Sequence, residues 1–216
     1  GQSSVCENSV PDPVNGSSVA GGSGAYFYLW EQSVDGGTSW TAADGTNTLS
    51  NYQPPVLLNN TTYRRNVTSA DCLPNISPAV GISINPLPQG PVFAGEDESI
   101  HSIDKSYYLN ADPPVTAGES GVWTAPQPAT SVIMNDSDSK TEVYNLSSGN
   151  NLFVWTITNG LCTIDDSVSI ELLPFVIPEG FSPNGDVWNN KFIIEGLNLS
   201  DQQIAELSIL NGAGTV

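Results

Sequence analysis

Residues 153–172 read FVWTITNGLCTIDDSVSIEL, and this stretch decides the fold class. Apolar and polar residues alternate on both sides of a turn that holds Cys162, which is typical of two β-strands that each bury one face. A proline follows the second run, where the strand is expected to end. The stretch therefore predicts a β-hairpin.

The same order of features occurs earlier in the chain, where YRRNVTSADC at 63–72 is followed by AVGISINPLP at 79–88. The two copies have Cys72 and Cys162 at matching positions. Their spacing of about 90 residues is the size of one β-sandwich domain. We therefore predict tandem sandwiches over 1–88 and 89–174, followed by the beginning of a third β-sandwich over 175–216.

Helical periodicity is nearly absent, and its one candidate is LSDQQIAEL at 199–207. Period-two patterns separated by Gly, Asn, Asp and Pro dominate instead, so we predict an all-β chain. Alternation along the strands directs Trp30, Trp123 and Trp155 into the cores. The predicted strands cover 25–32, 61–68, 79–85, 106–111, 141–146, 151–158 and 167–172.

Charge and hydropathy exclude several classes of partner. The chain has 23 acidic and 5 basic residues, so it would be repelled by nucleic acid and by an anionic membrane surface. No apolar run reaches the ~20 residues of a membrane helix, and we expect no direct membrane insertion. Residue 1 is Gly and no signal-peptide pattern follows, so we expect a mature segment of a longer protein.

Three cysteines allow at most one disulfide within the chain. We predict a Cys6–Cys72 bond, which would staple the first strand region to the last hairpin of its domain, and a free Cys162. Such a bond implies an oxidising, extracellular compartment. His101 stands near the position equivalent to Cys6 in the second domain. A disulfide with one partner replaced is favoured there over a metal or nucleophile pair formed with Cys162.

Two further features have both a structural and a functional interpretation. SVDGGTSW at 33–40 predicts a tight hairpin turn. Trp40 is either packed on that hairpin, which we favour, or an exposed platform for sugars. Arg64 and Arg65 face opposite ways on a strand, which favours surface pairing with carboxylates over a ligand clamp. With one His and without HExxH, GxSxG or P-loop patterns, the chain is predicted to be no enzyme and to need no cofactor.

Two long stretches resemble the repeats of known surface proteins. Residues 1–86, with YLWEQSVDGGTSW and TTYRRNVTSADC, resemble the Ig-like repeats of very large surface proteins of gliding Bacteroidota-type bacteria. Residues 92–173, with FAGEDESI, GVWTA and NLFVWTITNGLC, are similar to a second, Ig-like or PKD-like repeat, which usually has Cys where His101 stands. The resemblance implies tandem Ig-like β-sandwich domains.

IPEGFSPNGDVWNNKF at 177–192 resembles the opening of a type-B C-terminal sorting domain of the type IX secretion system. This resemblance implies a gliding-motility-associated adhesin that is exported to the outer cell surface. Its partners would be the type IX translocon and a PorP/SprF-type outer-membrane protein, with surface glycans as further ligands. Such domains are longer than residues 175–216, so we expect an incomplete one here. The matching residues are Phe181, Ser182, Pro183, Asn184, Gly185, Asp186 and Asn189.

The same turn has a metal-binding alternative, formed by Asn184, Asp186 and Asn190. A Ca²⁺ ion takes about six to eight oxygen ligands, several of them charged, and only Asp186 is a carboxylate in this turn. Gly185 lets the backbone bend tightly. A turn held by hydrogen bonds from side chains to the backbone is therefore favoured over a Ca²⁺ site.

The sequence leaves three functions open. The favoured one is a non-catalytic segment of a secreted cell-surface adhesin, with spacer and interaction modules and a sorting signal. The alternative is a carbohydrate-binding or spacer region of a secreted polysaccharide-degrading enzyme, which a row of exposed aromatics on one sheet face would favour. The third is a secreted enzyme, which a deep pocket with perturbed carboxylates would favour.

Overall fold

The computed structural model describes residues 3–22, 24–70, 72–180, 182, 185 and 191–197. All regular secondary structure in these residues is β-strand, so the prediction of an all-β chain is confirmed. The one candidate for helical periodicity, at 199–207, lies outside them. No helix in the described part of the chain is long and apolar enough to cross a membrane.

The chain forms two compact units. Unit 1 comprises Gly1–Pro91, Pro114–Gly121 and Thr156–Ile164, and unit 2 comprises Val92–Pro113, Val122–Trp155 and Asp165–Val216. Because neither unit is one continuous segment, the domain boundaries after residues 88 and 174 stay predictions.

Unit 1 contains a six-stranded sheet of order β1-β6-β4-β2-β3, with β5 also paired to β4. β1 runs parallel to β6, whereas the other pairs in this sheet are antiparallel. The strands are β1 (Ser4–Cys6), β2 (Phe27–Ser33), β3 (Thr41–Ala42), β4 (Thr61–Thr68), β5 (Asn75–Ile76) and β6 (Val80–Asn85). The longest of them, β4, has the predicted bounds.

The core of unit 1 lies between this sheet and a layer of irregular segments. Trp30 and Tyr63 point from the sheet into the core, where Tyr52 packs against both, with ring centroids 5.9 and 5.2 Å away. Tyr52 also forms a single antiparallel bridge with Val14. Burial raises the pKa of Tyr52 to about 12, and its hydroxyl donates to the carbonyl oxygen of Asp44 at 2.6 Å. The buried cluster is Val5, Val14, Trp30, Ala43, Tyr52, Leu57, Tyr63 and Ile82.

The remaining strands form two sheets, of orders β10-β11-β8 and β7-β13-β12-β9. Their bounds are β7 (Glu98–Ile100), β8 (Tyr107–Tyr108), β9 (Ser120–Thr124), β10 (Val132–Ile133), β11 (Glu142–Tyr144), β12 (Gly149–Asn159) and β13 (Cys162–Leu172). The predicted strand at 106–111 is thus reduced to two residues. Beyond it, Leu109 and Ala111 donate their backbone N–H groups to the carbonyls of Thr141 and Ser139.

Aromatic and aliphatic side chains fill the core of unit 2. Trp123 from β9 and Trp155 from β12 meet at 5.1 Å between ring centroids, with their planes tilted by 45°. The other fully buried side chains include Leu109, Val143, Leu146, Phe153 and Ile170. Trp30, Trp123 and Trp155 are 3%, 1% and 0% exposed, so their predicted burial is confirmed. With these cores the fold is of the predicted β-sandwich class.

The internal repeat is visible in the strand pairing. The first strand of each copy runs parallel to the last one, β1 beside β6 and β7 beside β13. Val5 pairs with Ile84, and Ile100 pairs with Leu172. The residues that follow Val5 and Ile100 are Cys6 and His101, so each stands at or just after the end of the first strand of its copy.

Candidate functional site

The structure bonds Cys6 to Cys162, with 5.6 Å between their Cα atoms, and leaves Cys72 free and exposed. The predicted Cys6–Cys72 bond and the predicted free Cys162 are therefore wrong. The bond joins β1 to the first residue of β13, and both cysteines belong to unit 1.

The register of the unit 1 sheet explains this outcome. Cys6 pairs with Asn85, which lies beyond the start of β4, because Thr61 pairs with Ile82. Cys72 follows the other end of β4. The eight residues of this strand span roughly 26 Å at ~3.3 Å each, whereas a disulfide needs Cα atoms within about 7 Å. Cys6 and Cys72 therefore lie at opposite ends of the sheet.

His101 does not replace a lost half-cystine, because Cys162 already has Cys6 as its partner. The favoured interpretation of His101 is thus wrong. Its exposed imidazole contacts Phe175, with 5.5 Å between ring centroids. It also lies against Gly196, where any Cβ would overlap the imidazole ring. His101 therefore packs on residues that follow β13.

Most of the predicted sorting motif lies outside the described residues, including Phe181, Pro183, Asn184, Asp186, Asn189 and Asn190. The proposed Ca²⁺ ligands are among them, so this site stays a prediction. Ser182 is exposed, and Gly185 has a φ of 84°, which fits the predicted tight bend. After the motif, Glu195 forms an isolated antiparallel bridge with Val176.

The SVDGGTSW turn is organised by the carboxylate of Asp35. It accepts hydrogen bonds from the hydroxyl and backbone N–H of Ser39, from the hydroxyl of Ser33 and from the backbone N–H of Thr38. These bonds, led by that of the Ser39 hydroxyl, hold the pKa of Asp35 well below its ordinary value of 3.8. The predicted turn is thus held by the Asp35 carboxylate, through bonds from backbone N–H groups and from serine hydroxyls.

Trp40 packs on this hairpin, as favoured from the sequence. Its indole N–H donates to the carbonyl oxygen of Gly37 at 2.9 Å, and the guanidinium of Arg64 lies 4.0 Å from its ring centroid. Arg64 in turn forms a 2.7 Å ion pair with Glu31 on the neighbouring strand. The Arg64 cation and the Gly37 turn both contact the ring, so Trp40 is no open platform for sugars.

Arg64 and Arg65 do face opposite ways, but their environments differ from the prediction. Arg64 pairs with a carboxylate, as expected, whereas Arg65 is only 3% exposed. Its guanidinium donates to the backbone carbonyls of Ser50 and Ser17, at 2.7 Å each. No carboxylate in the described part of the chain pairs with it. The prediction of surface pairing is therefore wrong for Arg65.

The candidate site on unit 2 is the outer face of the β10-β11-β8 sheet. Tyr108 is opposite Glu142 and Tyr144 is opposite Val132, while Met134 donates its backbone N–H to Glu142 and continues the ladder. Alternation turns the intervening Val143 inward, where it is fully buried. We call these five residues the tyrosine face: Tyr108, Val132, Met134, Glu142 and Tyr144.

The tyrosine face combines exposed apolar surface with one carboxylate. Tyr108 is 67% and Tyr144 40% exposed, and Met134 and Val132 are exposed beside them. The Tyr108 hydroxyl donates to the carboxylate of Glu142 at 3.4 Å. Diagonal neighbours such as Tyr108 and Tyr144 are about 7–8 Å apart, so the two rings can contact one extended ligand. Aromatic rings pack on apolar faces of a ligand, and a carboxylate accepts hydrogen bonds from hydroxyl groups.

The tyrosine face is not among the sites predicted from the sequence. The period-two pattern of the predicted strands at 106–111 and 141–146 already put Tyr108 and Tyr144 on one face of each strand. It could not show that β8 and β11 are neighbours, and the short β10 with Val132 and Met134 gave no strand signal.

Comparisons with known proteins give partial similarities and no function. Residues 1–86 match a family described as a domain of unknown function, DUF8696. No curated protein matches the chain.

Several solved structures are similar to parts of this chain. The fibronectin(III)-like modules of Clostridium thermocellum CbhA are 12% identical, cover 76% of this chain and 93% of their own, and have a TM-score of 0.38. A human PKD domain is 22% identical, with coverages of 42% and 85% and a TM-score of 0.33. A SusE-like surface-located polysaccharide-binding protein from Bacteroides thetaiotaomicron is 10% identical, with coverages of 82% and 34% and a TM-score of 0.41. With TM-scores below 0.5, these similarities carry no argument about function.

Proposed function

We propose that this chain is a non-catalytic, extracellular segment of a cell-surface adhesin, whose β-sandwich units serve as spacers and interaction modules. The observation that carries the proposal is the Cys6–Cys162 disulfide, which closes a loop of 156 residues. Disulfides of this structural kind form and persist in oxidising compartments such as the cell exterior. The proposal therefore rests on a covalent feature of the fold.

The distribution of aromatic side chains supports a structural role. Trp30, Trp123 and Trp155 fill the two cores, and Trp40 packs on its own hairpin. Asp35, a carboxyl group whose pKa is lowered, lies on an exposed turn, where hydrogen bonds within that turn account for the shift. A perturbed carboxylate in a cleft would have been the sign of an enzyme.

The proposal extends to export by the type IX system, with the motif at 181–189 read by the translocon and a PorP/SprF-type protein as the surface partner. This part rests on the motif resemblance. It is supported by the antiparallel bridge between Val176 and Glu195, which brings together the two ends of the segment that holds the motif.

Fusion to a periplasmic reporter tests the export proposal. The fusion carries residues 175–216 together with the sequence that follows them in the full-length protein, in a host with a working type IX system. We expect the reporter on the cell surface, accessible to external protease, while a control fusion of residues 89–174 stays in the periplasm. A periplasmic location of both reporters contradicts the sorting role.

A second candidate, carbohydrate binding, is favoured by the tyrosine face. It presents two exposed aromatic rings and a carboxylate on one face, with Glu142 opposite Tyr108, an arrangement suited to the apolar faces and hydroxyl groups of a glycan chain. In this function the chain would be the accessory region of a secreted polysaccharide-degrading enzyme, and the glycan would be its direct ligand.

Affinity electrophoresis through gels that contain polysaccharides tests this candidate. In a gel that retards the wild type, the double variant Tyr108→Ala, Tyr144→Ala should lose retardation, by roughly tenfold or more in affinity if each stack contributes ~1 kcal/mol. The matched control is Phe27→Ala, which removes an equally exposed ring from the unit 1 sheet. Equal retardation of the double variant and the wild type would exclude the tyrosine face as a glycan site.

A further inference from the structure

A pocket of about 360 Å³ lies in unit 1, between the segment 17–22 and the end of β4 with the loop that follows it. This volume is within the range of small-molecule sites, about 300–1,000 Å³. Arg65 and Cys72 line it together with hydroxyl-bearing side chains, among them Ser17, Thr68, Ser69 and Ser77. We call it the Arg65 pocket.

Arg65 is a buried cation whose hydrogen bonding is incomplete. Its Nη1 and Nη2 groups donate to backbone carbonyls, and its Cζ lies 5.2 Å from the Tyr28 ring centroid and 5.7 Å from that of Trp30. The Nε–H group has no acceptor. A buried charge costs several kcal/mol unless it is paired and hydrogen-bonded, and carbonyl dipoles and rings offset only part of this cost.

The internal repeat shows that the fold does not require a charge at this position. When YRRNVTSADC is aligned with FVWTITNGLC, Arg65 and Trp155 occupy the same position of the repeat. Trp155 is fully buried against Trp123. In unit 2 the position is filled by apolar packing. In unit 1 the chain instead keeps a guanidinium beside an open pocket, which is the pattern of a residue retained for a ligand.

The local charge favours an anion. The chain has 23 acidic residues, but none of the described residues that line the Arg65 pocket is acidic. The planar guanidinium fork matches a carboxylate in geometry and charge. The serine and threonine hydroxyls around it suit a ligand that carries hydroxyl groups of its own.

We infer that the Arg65 pocket binds a small, hydroxyl-bearing organic carboxylate of the uronate class. The carboxylate pairs with Arg65, and the sugar hydroxyls bond to the serine and threonine side chains of the pocket. This inference goes beyond the proposed spacer and adhesion function and is independent of the tyrosine face. Its failure leaves the disulfide-based proposal intact.

Cys72 provides a built-in reporter for the pocket. It is exposed and is the single free thiol of the chain, because the other two cysteines bond each other. Its Sγ lies 3.9 Å from the position that a Cβ on Gly22 would occupy, and both residues line the pocket. A bound ligand should therefore shield Cys72 from alkylation.

The experiment measures the rate of Cys72 alkylation by N-ethylmaleimide at constant ionic strength, with glucuronate, glucose or sulfate added to the whole protein. At a glucuronate concentration about ten times its dissociation constant, the rate should fall roughly tenfold. Glucose has the same ring without the carboxylate and should leave the rate unchanged, as should sulfate. No protection by glucuronate, or equal protection by glucose or sulfate, overturns the inference.

Two further measurements assign the effect to Arg65 and the pocket. Protein alkylated at Cys72 beforehand should release no heat when titrated with glucuronate, whereas unmodified protein should. Arg65→Lys keeps the charge but loses the planar fork, and protection should weaken in a variant whose melting is unchanged. If Arg65→Lys does not fold, the alkylated wild type alone decides: binding that survives alkylation overturns the inference.

Discussion

The segments 63–72 and 153–162 follow one sequence pattern, and the surroundings of their residues differ most clearly at the third and tenth positions. Their first residues, Tyr63 and Phe153, are both fully buried. At the third position unit 1 buries Arg65, whereas unit 2 buries Trp155. At the tenth position, Cys72 is exposed and free, whereas Cys162 is buried and bonded.

This comparison shows which structural features the two copies of the repeat share. The period of the strand preserves which positions face inward, because alternate side chains point to opposite faces whatever their chemistry. The strand pattern does not fix the length of the loop that follows the strand. In the second copy only residues 160–161 separate β12 from β13, whereas in the first copy residues 69–79, with β5 among them, separate β4 from β6. Matching cysteines therefore lie in different surroundings.

The largest expected difference concerns the two cysteine positions. Cys6→Ala should lower the free energy of unfolding by about 5 kcal/mol, because the bond closes a loop of 156 residues. Cys72→Ala, the matched control, should change it by less than about 0.5 kcal/mol, as for other exposed sites. Denaturant unfolding under non-reducing conditions measures both. Equal destabilisation by the two substitutions would contradict the observed pairing.

The next largest effect is expected at the third position of the repeated segment, which is Trp155 in the second copy. Trp155→Ala should cost about 3–5 kcal/mol, because it removes a fully buried ring and leaves a cavity beside Trp123. Trp40→Ala, which removes a partly exposed ring under Arg64, should cost about 1 kcal/mol. Near-ultraviolet circular dichroism followed through denaturation compares the two. An unchanged midpoint for Trp155→Ala would show that β12 has a different register.

Substitution of Arg65, the residue at the same position in the first copy, should change the free energy of unfolding less. Arg65→Met should cost about 1–3 kcal/mol, because the carbonyls of Ser17 and Ser50 lose their donor while the cost of a buried charge disappears. Arg64→Met breaks only a partly exposed ion pair and should cost less than about 1 kcal/mol. Thermal unfolding at matched pH compares the two variants. A larger loss of stability in Arg64→Met than in Arg65→Met would contradict the burial of Arg65.

The smallest effect is a pH dependence limited to one turn of unit 1. The folded pKa of Asp35 is lowered by its hydrogen bonds, first by that of the Ser39 hydroxyl. The stability it contributes is therefore fully present above the ordinary value of 3.8 and is lost as the pH falls through the lower, folded value. Asp35→Asn should remove this dependence. An NMR titration that follows the carboxyl resonance of Asp35 measures its pKa in the folded protein. A midpoint near 3.8 would contradict the lowered pKa.

The sequence by itself determined the fold class and the inward positions. Alternation along the strands identified Trp30, Trp123 and Trp155 as inward residues, because the direction of a strand side chain is a local property of the backbone. The Asp-Gly-Gly turn at 35–37 was equally readable, since its bonds join residues a few positions apart.

Only the tertiary structure decided the rest. The partner of Cys6, the burial of Arg65 and the assembly of the tyrosine face each depend on which distant strands become neighbours and in which register. A pattern of period two gives the face of a residue but not its neighbour across the sheet. Cys6 meets Cys162 because β1 ends beside Asn85, and nothing within either segment encodes that pairing.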